Sequence, residues 1–166
     1  MSTIPTLVRL GVLNPIDPAL DEDQSVERCI YAMDRPYIWL IQHLPTLATS
    51  IDADLTPAQQ ADNLFAEFCA GEPLDFDGRF KCLFPAENDH GIWELKTPDI
   101  RVFGWFYRRD VFMISDVNDA TFIKTHNLYG GLRNQAVAAR DALDIDPPKY
   151  VPGRDPHAVV SNYYCS

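Results

Sequence analysis

The stretch HGIWELKTPDIRVFGWFYRRDVFMIS, residues 90–115, decides the fold. Within it, GIWELK (Gly91–Lys96), IRVFGWFY (Ile100–Tyr107) and VFMIS (Val111–Ser115) are rich in β-branched and aromatic residues, with the turn formers TPD and RRD between them. Runs of that composition read as strands, and connections this short join antiparallel neighbours. RFKCLF (Arg79–Phe84) alternates and adds a strand upstream, across the turn PAENDHG. Side chains alternate along a strand, so Trp93, Leu95, Ile100 and Val102 are expected on one face and Glu94, Lys96 and Arg101 on the other. The TPD turn brings Lys96 and Arg101 together, and Arg79 and Lys81 can join them. That makes a platform of four cations, partly neutralised by Glu94. The same alternation also fits an ordinary wet sheet face with a cross-strand Glu–Arg pair.

Working outward, TLVRLGV (Thr6–Val12) reads as a strand ended by Asn14 and Pro15. Ala19 to about Leu44 reads as helical, because Val26, Cys29, Ile30 and Met33 recur at i, i+3, i+4, i+7. Pro36 is expected to break it in two, since the ring clashes with the preceding turn. TPAQQADNLFAEFCAG (Thr56–Gly71) is the clearest helix. Thr56 suits the N-cap, Pro57 the first helical position and Gly71 the stop. DVNDA reads as a turn, and TFIKTH as either a strand end or a helix start. A further helix runs to about Leu143, through Leu132, Ala136, Ala139, Ala142 and Leu143. The order predicts an α+β fold: a small antiparallel β-sheet of four to five strands packed against N-terminal helices, with a C-terminal helix. Residues 1–146 are expected to form a single domain with an extra N-terminal helical segment. Residues 147–166 form a Pro-rich tail, extended and packed only in part.

An apolar fraction of 46% against 23% charged residues suits a globular chain with a real core. No apolar run approaches the roughly 20 residues of a membrane span. The first residues make a poor signal peptide, so a cytoplasmic location is expected. Cys29, Cys69, Cys82 and Cys165 lack zinc spacing and read as thiols, Cys29 and Cys69 as buried ones. His43, His90, His126 and His157 show no metal-binding spacing, so no metal and no cofactor are expected. The net charge is −10, concentrated at Asp17, Asp21, Glu22, Asp23 and Glu27, at Asp52, Asp54 and Asp62, and at Glu72, Asp75 and Asp77. Such a surface repels nucleic acid at long range. It favours a basic partner, or simply solubility. Gly130-Gly131 suits a flexible helix start, and Trp93, Trp105 and Phe106 read as core residues or as base-stacking rings.

The run GIWELKTPDIRVFGWF resembles the core signature of the RelE/HigB superfamily of toxin–antitoxin toxins, particularly its phage-derived Gp49-like branch. That signature is a strand ending Glu-Leu-Arg, a turn, and a strand beginning Arg-Val with aromatics after it. This chain has Glu94-Leu95-Lys96 and Arg101-Val102-Phe103. Phe122, Lys124 and Thr125 are similar to the family's Phe-Lys-Lys-Thr motif, with Ile123 in place of its first Lys. The resemblance covers about residues 56–143. It implies a ribosome-associated, metal-independent endoribonuclease that cleaves messenger RNA and is held by a cognate antitoxin. Phosphoryl transfer depends on positioning and on neutralising charge at the phosphorus oxygens. By the resemblance Arg101 and Lys124 match basic catalytic positions, and His126 or Tyr129, the nearest local candidates, would serve as general acid or base. Arg79, Lys81 and Lys96 would bind RNA.

Two readings follow. In one the chain is a ribonuclease toxin or a close relative. In the other it is a non-catalytic, acidic binding protein that uses the same scaffold to engage a protein partner. This family's toxins are usually basic and shorter, and LYGGLRNQ replaces their Thr-Pro helix start. Neither reading places the chain in a membrane.

Overall fold

The computed structural model describes residues 1–83 and 90–166. The chain opens with helix α1 (Ile4–Arg9), strands β1 (Leu13–Pro15) and β2 (Cys29–Met33), and helix α2 (Asp34–Ile38). Helix α2 runs on through a π turn (Trp39–His43) and a 3-10 turn (Leu44–Thr46) to helix α3 (Pro57–Cys69). Strands β3 (Leu74–Phe76), β4 (Phe80–Cys82), β5 (Ile92–Lys96), β6 (Ile100–Arg108) and β7 (Val111–Asp119) follow. Helices α4 (Ala120–Thr125), α5 (Tyr129–Ala142) and α6 (Pro156–Val159) precede the last strand, β8 (Tyr163–Cys165).

Among the described residues, one sheet of eight strands has the order β1-β2-β7-β6-β5-β4-β3-β8. Its centre is the expected meander, with β4, β5, β6 and β7 successively antiparallel. The α+β class holds, but the sheet is larger than four to five strands and is mixed. Strands β2 and β7 pair in parallel, as do β3 with β4 and β3 with β8. Phe84, the end of the expected strand Arg79–Phe84, and residues 85–89 of the turn after it lie outside the described residues.

Three local readings are corrected and an open one is settled. Residues 6–12 begin in a helix rather than a strand. Thr3 caps it by accepting from the Thr6 amide at 3.3 Å, and Pro5 lies in its first turn, where a missing N–H costs nothing. Cys29–Met33 is a strand rather than a helix, bonded along β7 from Val111 to Ile114. Burial there alternates, with Ile30 and Ala32 inside one core, so period two prevails over the 3.6 spacing. The expected turn at Asp116–Ala120 continues β7 to Asp119, opposite Ile100. TFIKTH is then helical, because Asp119 caps α4 by accepting from the Phe122 amide at 2.9 Å.

Helix α3 forms as expected. Thr56 and Gln59 make a reciprocal capping box, and Ala61, Leu64, Phe65, Phe68 and Cys69 are all buried. Its apolar face packs on Trp93, Leu95, Ile100 and Val102, the face expected for them. The opposite face is also covered. Ile92, Trp105 and Met113 form a second core with Leu7 of α1 and Ala136 and Leu143, from and just after α5. Gly104 sits at a bulge where an added Cβ would lie 1.8 Å from the Met113 carbonyl oxygen, so only glycine fits.

The Pro-rich tail is part of the fold. Val159 and Val160 are buried in the first core, and β8 completes the sheet beside β3. Arg28 ties this corner together. Its guanidinium donates to the carbonyls of Phe68 (2.9 Å), Glu72 (3.0 Å) and Asn162 (2.9 Å), and its Nε lies 3.3 Å from Asp110. All four cysteines are free thiols; Cys69 is buried, and burial pushes its thiol up to about 12. Among the described residues no helix is long and apolar enough to cross a membrane.

Candidate functional site

Register places the polar residues of the meander together. Lys81 of β4 stands opposite Glu94 of β5, Glu94 opposite Phe103 of β6, and Lys96 opposite Arg101. On β7, Asp116 faces Phe103 and Asn118 faces Arg101. Cross-strand partners project from the same side of the sheet. Helix α5 packs on that side, over β5, β6 and β7. Its first residue, Tyr129, sets its ring edge-on to Phe103, with centroids 5.7 Å apart.

Glu94 is therefore covered rather than wet. It is 4% exposed, and its Oε2 has no hydrogen-bond partner. Burial raises its pKa above the ordinary carboxylate value. Arg101, Lys96, Lys81 and Lys124 pull the other way without restoring it. The Tyr129 phenol is raised by burial and by the Glu94 charge, against the pull of Arg101 and its hydrogen bond. A phenol so placed keeps its proton at neutral pH. Beyond Phe103, the Asp116 carboxyl is likewise raised by burial, opposed by Arg35.

The cations divide into two groups. Arg101 is half-buried, and its Nη1 donates to the carbonyls of Thr97 and Ile100, the latter at 3.0 Å. Lys96 is half-buried beside it, and Lys124 is exposed on α4. Arg79 is drawn away: its Nη2 lies 3.1 Å from Glu67, and its Nη1 donates to the Lys96 carbonyl at 3.2 Å. Lys81 is exposed at the rim and lies 3.6 Å from Asp77. His126 is exposed at the end of α4, with Nδ1 3.0 Å from the Phe122 carbonyl oxygen and its ring 4.3 Å from that of Phe122. It is not among the leading charges on Glu94 or Tyr129. Of the seven residues singled out in the sequence, Lys96, Arg101 and Tyr129 thus lie on the Glu94 side of the sheet, and Lys124, exposed on α4, is the weakest of the four cations that act on that carboxyl. Lys81 stands at the edge of this group, Arg79 is held by a carboxylate, and His126 turns to its own helix.

Next to this cluster is a cleft of about 580 Å³. Arg79, Lys96, Arg101, Glu67, Asp75 and Tyr164 are among the residues that line it. Among the described residues, no group of three His, Cys, Asp or Glu side chains is arranged to hold a metal ion. The arrangement can bind an anion and can exchange a proton through Glu94 or Tyr129.

Sequence reasoning found the cations but gave Glu94 only a neutralising part, and it did not single out Tyr164. Alternation put Glu94 on the right face. What it lacks is any sign that α5 would close over that face. Tyr164 reaches the cleft through the pairing of β8 with β3, a contact between distant segments that leaves no local pattern. Comparison with known proteins finds no match: no family model, no curated protein and no solved structure.

Proposed function

We propose that this chain is a RelE/HigB-like protein that binds single-stranded RNA and cleaves it without a metal ion. The observation that carries the reading is Glu94, a buried carboxyl with an unpartnered oxygen, set among Lys96, Arg101 and Lys124 and beside the Tyr129 phenol. In the reaction, an RNA 2′-hydroxyl attacks the adjacent phosphorus and the bond to the 5′-oxygen breaks. The products are a 2′,3′-cyclic phosphate and a 5′-hydroxyl. The Glu94 carboxylate takes the 2′-hydroxyl proton; its raised pKa makes it a stronger base than an ordinary carboxylate. Tyr129, which remains protonated, donates to the leaving oxygen. Lys96, Arg101 and Lys124 offset the charge that builds on the phosphorus oxygens. Lys81 meets a flanking phosphate, while Arg79 stays paired with Glu67. His126 has no part in the chemistry. A cytoplasmic, ribosome-associated role and a cognate antitoxin belong to the same reading.

A second reading has its own support. The chain carries a net charge of −10, and Arg79 and Lys81 are already paired with carboxylates. Those features suit a non-catalytic protein that engages a protein partner. Incubating the folded protein with single-stranded RNA in excess chelator separates the two. Fragments ending in 2′,3′-cyclic phosphate, lost in Arg101→Ala and Glu94→Gln, support the nuclease. Intact RNA after prolonged incubation, together with harmless expression of the wild type, overturns it in favour of the binding protein.

A further inference from the structure

We infer that the cleft beside the cation cluster is a nucleobase subsite, with Tyr164 as its stacking platform and Asp75 as the acceptor that selects the base. The inference rests on the RNA-binding reading above and extends it to the part of the substrate that would be recognised. Helix α5 covers β5, β6 and β7, whereas the cleft lies toward β3 and β8, where Asp75 pairs with Tyr164. That register sets the phenol ring next to the carboxylate on one side of the sheet.

The two tyrosines of β8 differ in a way that packing alone explains for only one of them. Tyr163 turns into the first core, with its ring 6.3 Å from Phe76 and 6.0 Å from Phe80. Tyr164 is 50% exposed and borders the cleft with no aromatic neighbour among the described residues. Lys96 and Arg101, the cations assigned above to the phosphate, line the same cleft. A cation pair and an open ring in one cleft match the two parts of a nucleotide. Single-stranded nucleic acid is bound in this way, by basic side chains along the backbone and aromatic rings against the bases.

The carboxylates set the preference. Asp75 and Glu67 offer only acceptors, and Glu67 is occupied by Arg79. Asp75 accepts from the backbone amide and hydroxyl of Ser166 at 3.4 and 3.1 Å, which leaves lone pairs on both oxygens. An exocyclic amino group satisfies such an acceptor, whereas uracil presents two carbonyl oxygens and one ring N–H. Adenine and cytosine therefore fit the cleft better than uracil. Gly78 keeps the floor low, since a Cβ there would come within 2.1 Å of the Asp75 carboxylate.

The test uses the full chain and labelled six-nucleotide 2′-O-methyl oligoadenylate, oligocytidylate and oligouridylate, which bind but cannot be cleaved. Fluorescence polarisation reads affinity. The wild type is expected to bind the first two more tightly than oligouridylate. Tyr164→Ala is expected to weaken adenylate binding by about 5- to 150-fold, the range for loss of one stacked base. Tyr164→Phe is expected to retain it, and Asp75→Asn to erase the preference against uridylate. Equal affinity of the wild type and Tyr164→Ala, with RNA still bound or cleaved by both, overturns the subsite and leaves the nuclease reading standing. Failure of the wild type to bind any of the three oligonucleotides overturns the subsite and the RNA reading together.

Discussion

Replacing Glu94 by glutamine is expected to stabilise the fold while removing cleavage. The carboxyl is 4% exposed and one of its oxygens has no partner. Glutamine leaves a polar atom just as unpaired there, so what the substitution relieves is the cost of burying a charge, which exceeds that of burying a neutral amide. Four cations act on it, and removing its charge leaves them repelling one another. Those cations are exposed or half-buried, so each mutual term is screened to under about 1 kcal/mol. Burial is the largest influence on Glu94 and its pKa stays raised despite all four, so the relief of burial outweighs the new repulsion. A net gain of about 1 kcal/mol corresponds to roughly 2–4 °C in Tm for a chain of this size.

The sign against pH follows from the direction of the shift. The folded protein holds the Glu94 proton more tightly than the unfolded chain does. Wild-type stability from this group is full below the ordinary carboxylate range and is lost as pH rises through the raised value. The advantage of Glu94→Gln is therefore largest at neutral and alkaline pH and shrinks toward acid. Calorimetric melts of both proteins from pH 4 to 8, paired with RNA cleavage, measure this. A variant that melts lower at neutral pH, or a difference that does not change with pH, refutes the reasoning. Glu94 would then be a structural counter-ion, and the fold would need its charge. A residue whose removal strengthens the fold but abolishes activity is instead one kept for function at a cost in stability.

Arg28→Met is expected to cost about 3–5 kcal/mol, since Asp110 keeps the Ser161 amide but loses its ion-pair partner and three carbonyls lose their donor. A urea titration reads this as a fall in midpoint without a matching change in slope. Gly104→Ala places a Cβ 1.8 Å from a backbone oxygen in the middle of the sheet, and is expected to abolish soluble, folded expression, read by circular dichroism.

The parts of the fold that were legible are those whose signal is local. Helix α3 carries its own cap, stop and apolar face, and the strands from Ile92 to Ser115 carry alternation and short turns. Strand β2 was not legible, because its identity is fixed by a parallel ladder to residues about 80 positions away. Helix α1 could have been found: Thr3 and Pro5 form an N-terminal signal just ahead of the segment read as a strand. VFGWFY, residues 102–107, is an unbroken apolar run, and such runs mark strands covered on both faces. Read that way, the sequence would have argued against a wet face near Phe103 and for a buried Glu94. The cation group was legible because one β-turn assembles Lys96 and Arg101. Its closure by Tyr129 was not.

The net charge of −10 and the cation group answer to different distances. Arg28, Arg79, Lys81 and Arg140 each face a carboxylate within 4 Å, and their charge is neutralised on the spot. Lys96, Arg101 and Lys124 make no ion pair with a carboxylate among the described residues. Their common neighbour is Glu94, whose burial shifts it toward the neutral form. At physiological salt, exposed charges more than about 8 Å apart are largely screened from one another. The acidic surface therefore slows the approach of a polyanion but does not cancel three cations once a phosphate is in contact with them. An acidic protein can hold such a site when the carboxylates beside it are few and engaged: of those lining the cleft, Glu67 is paired with Arg79 and Asp75 accepts from Ser166.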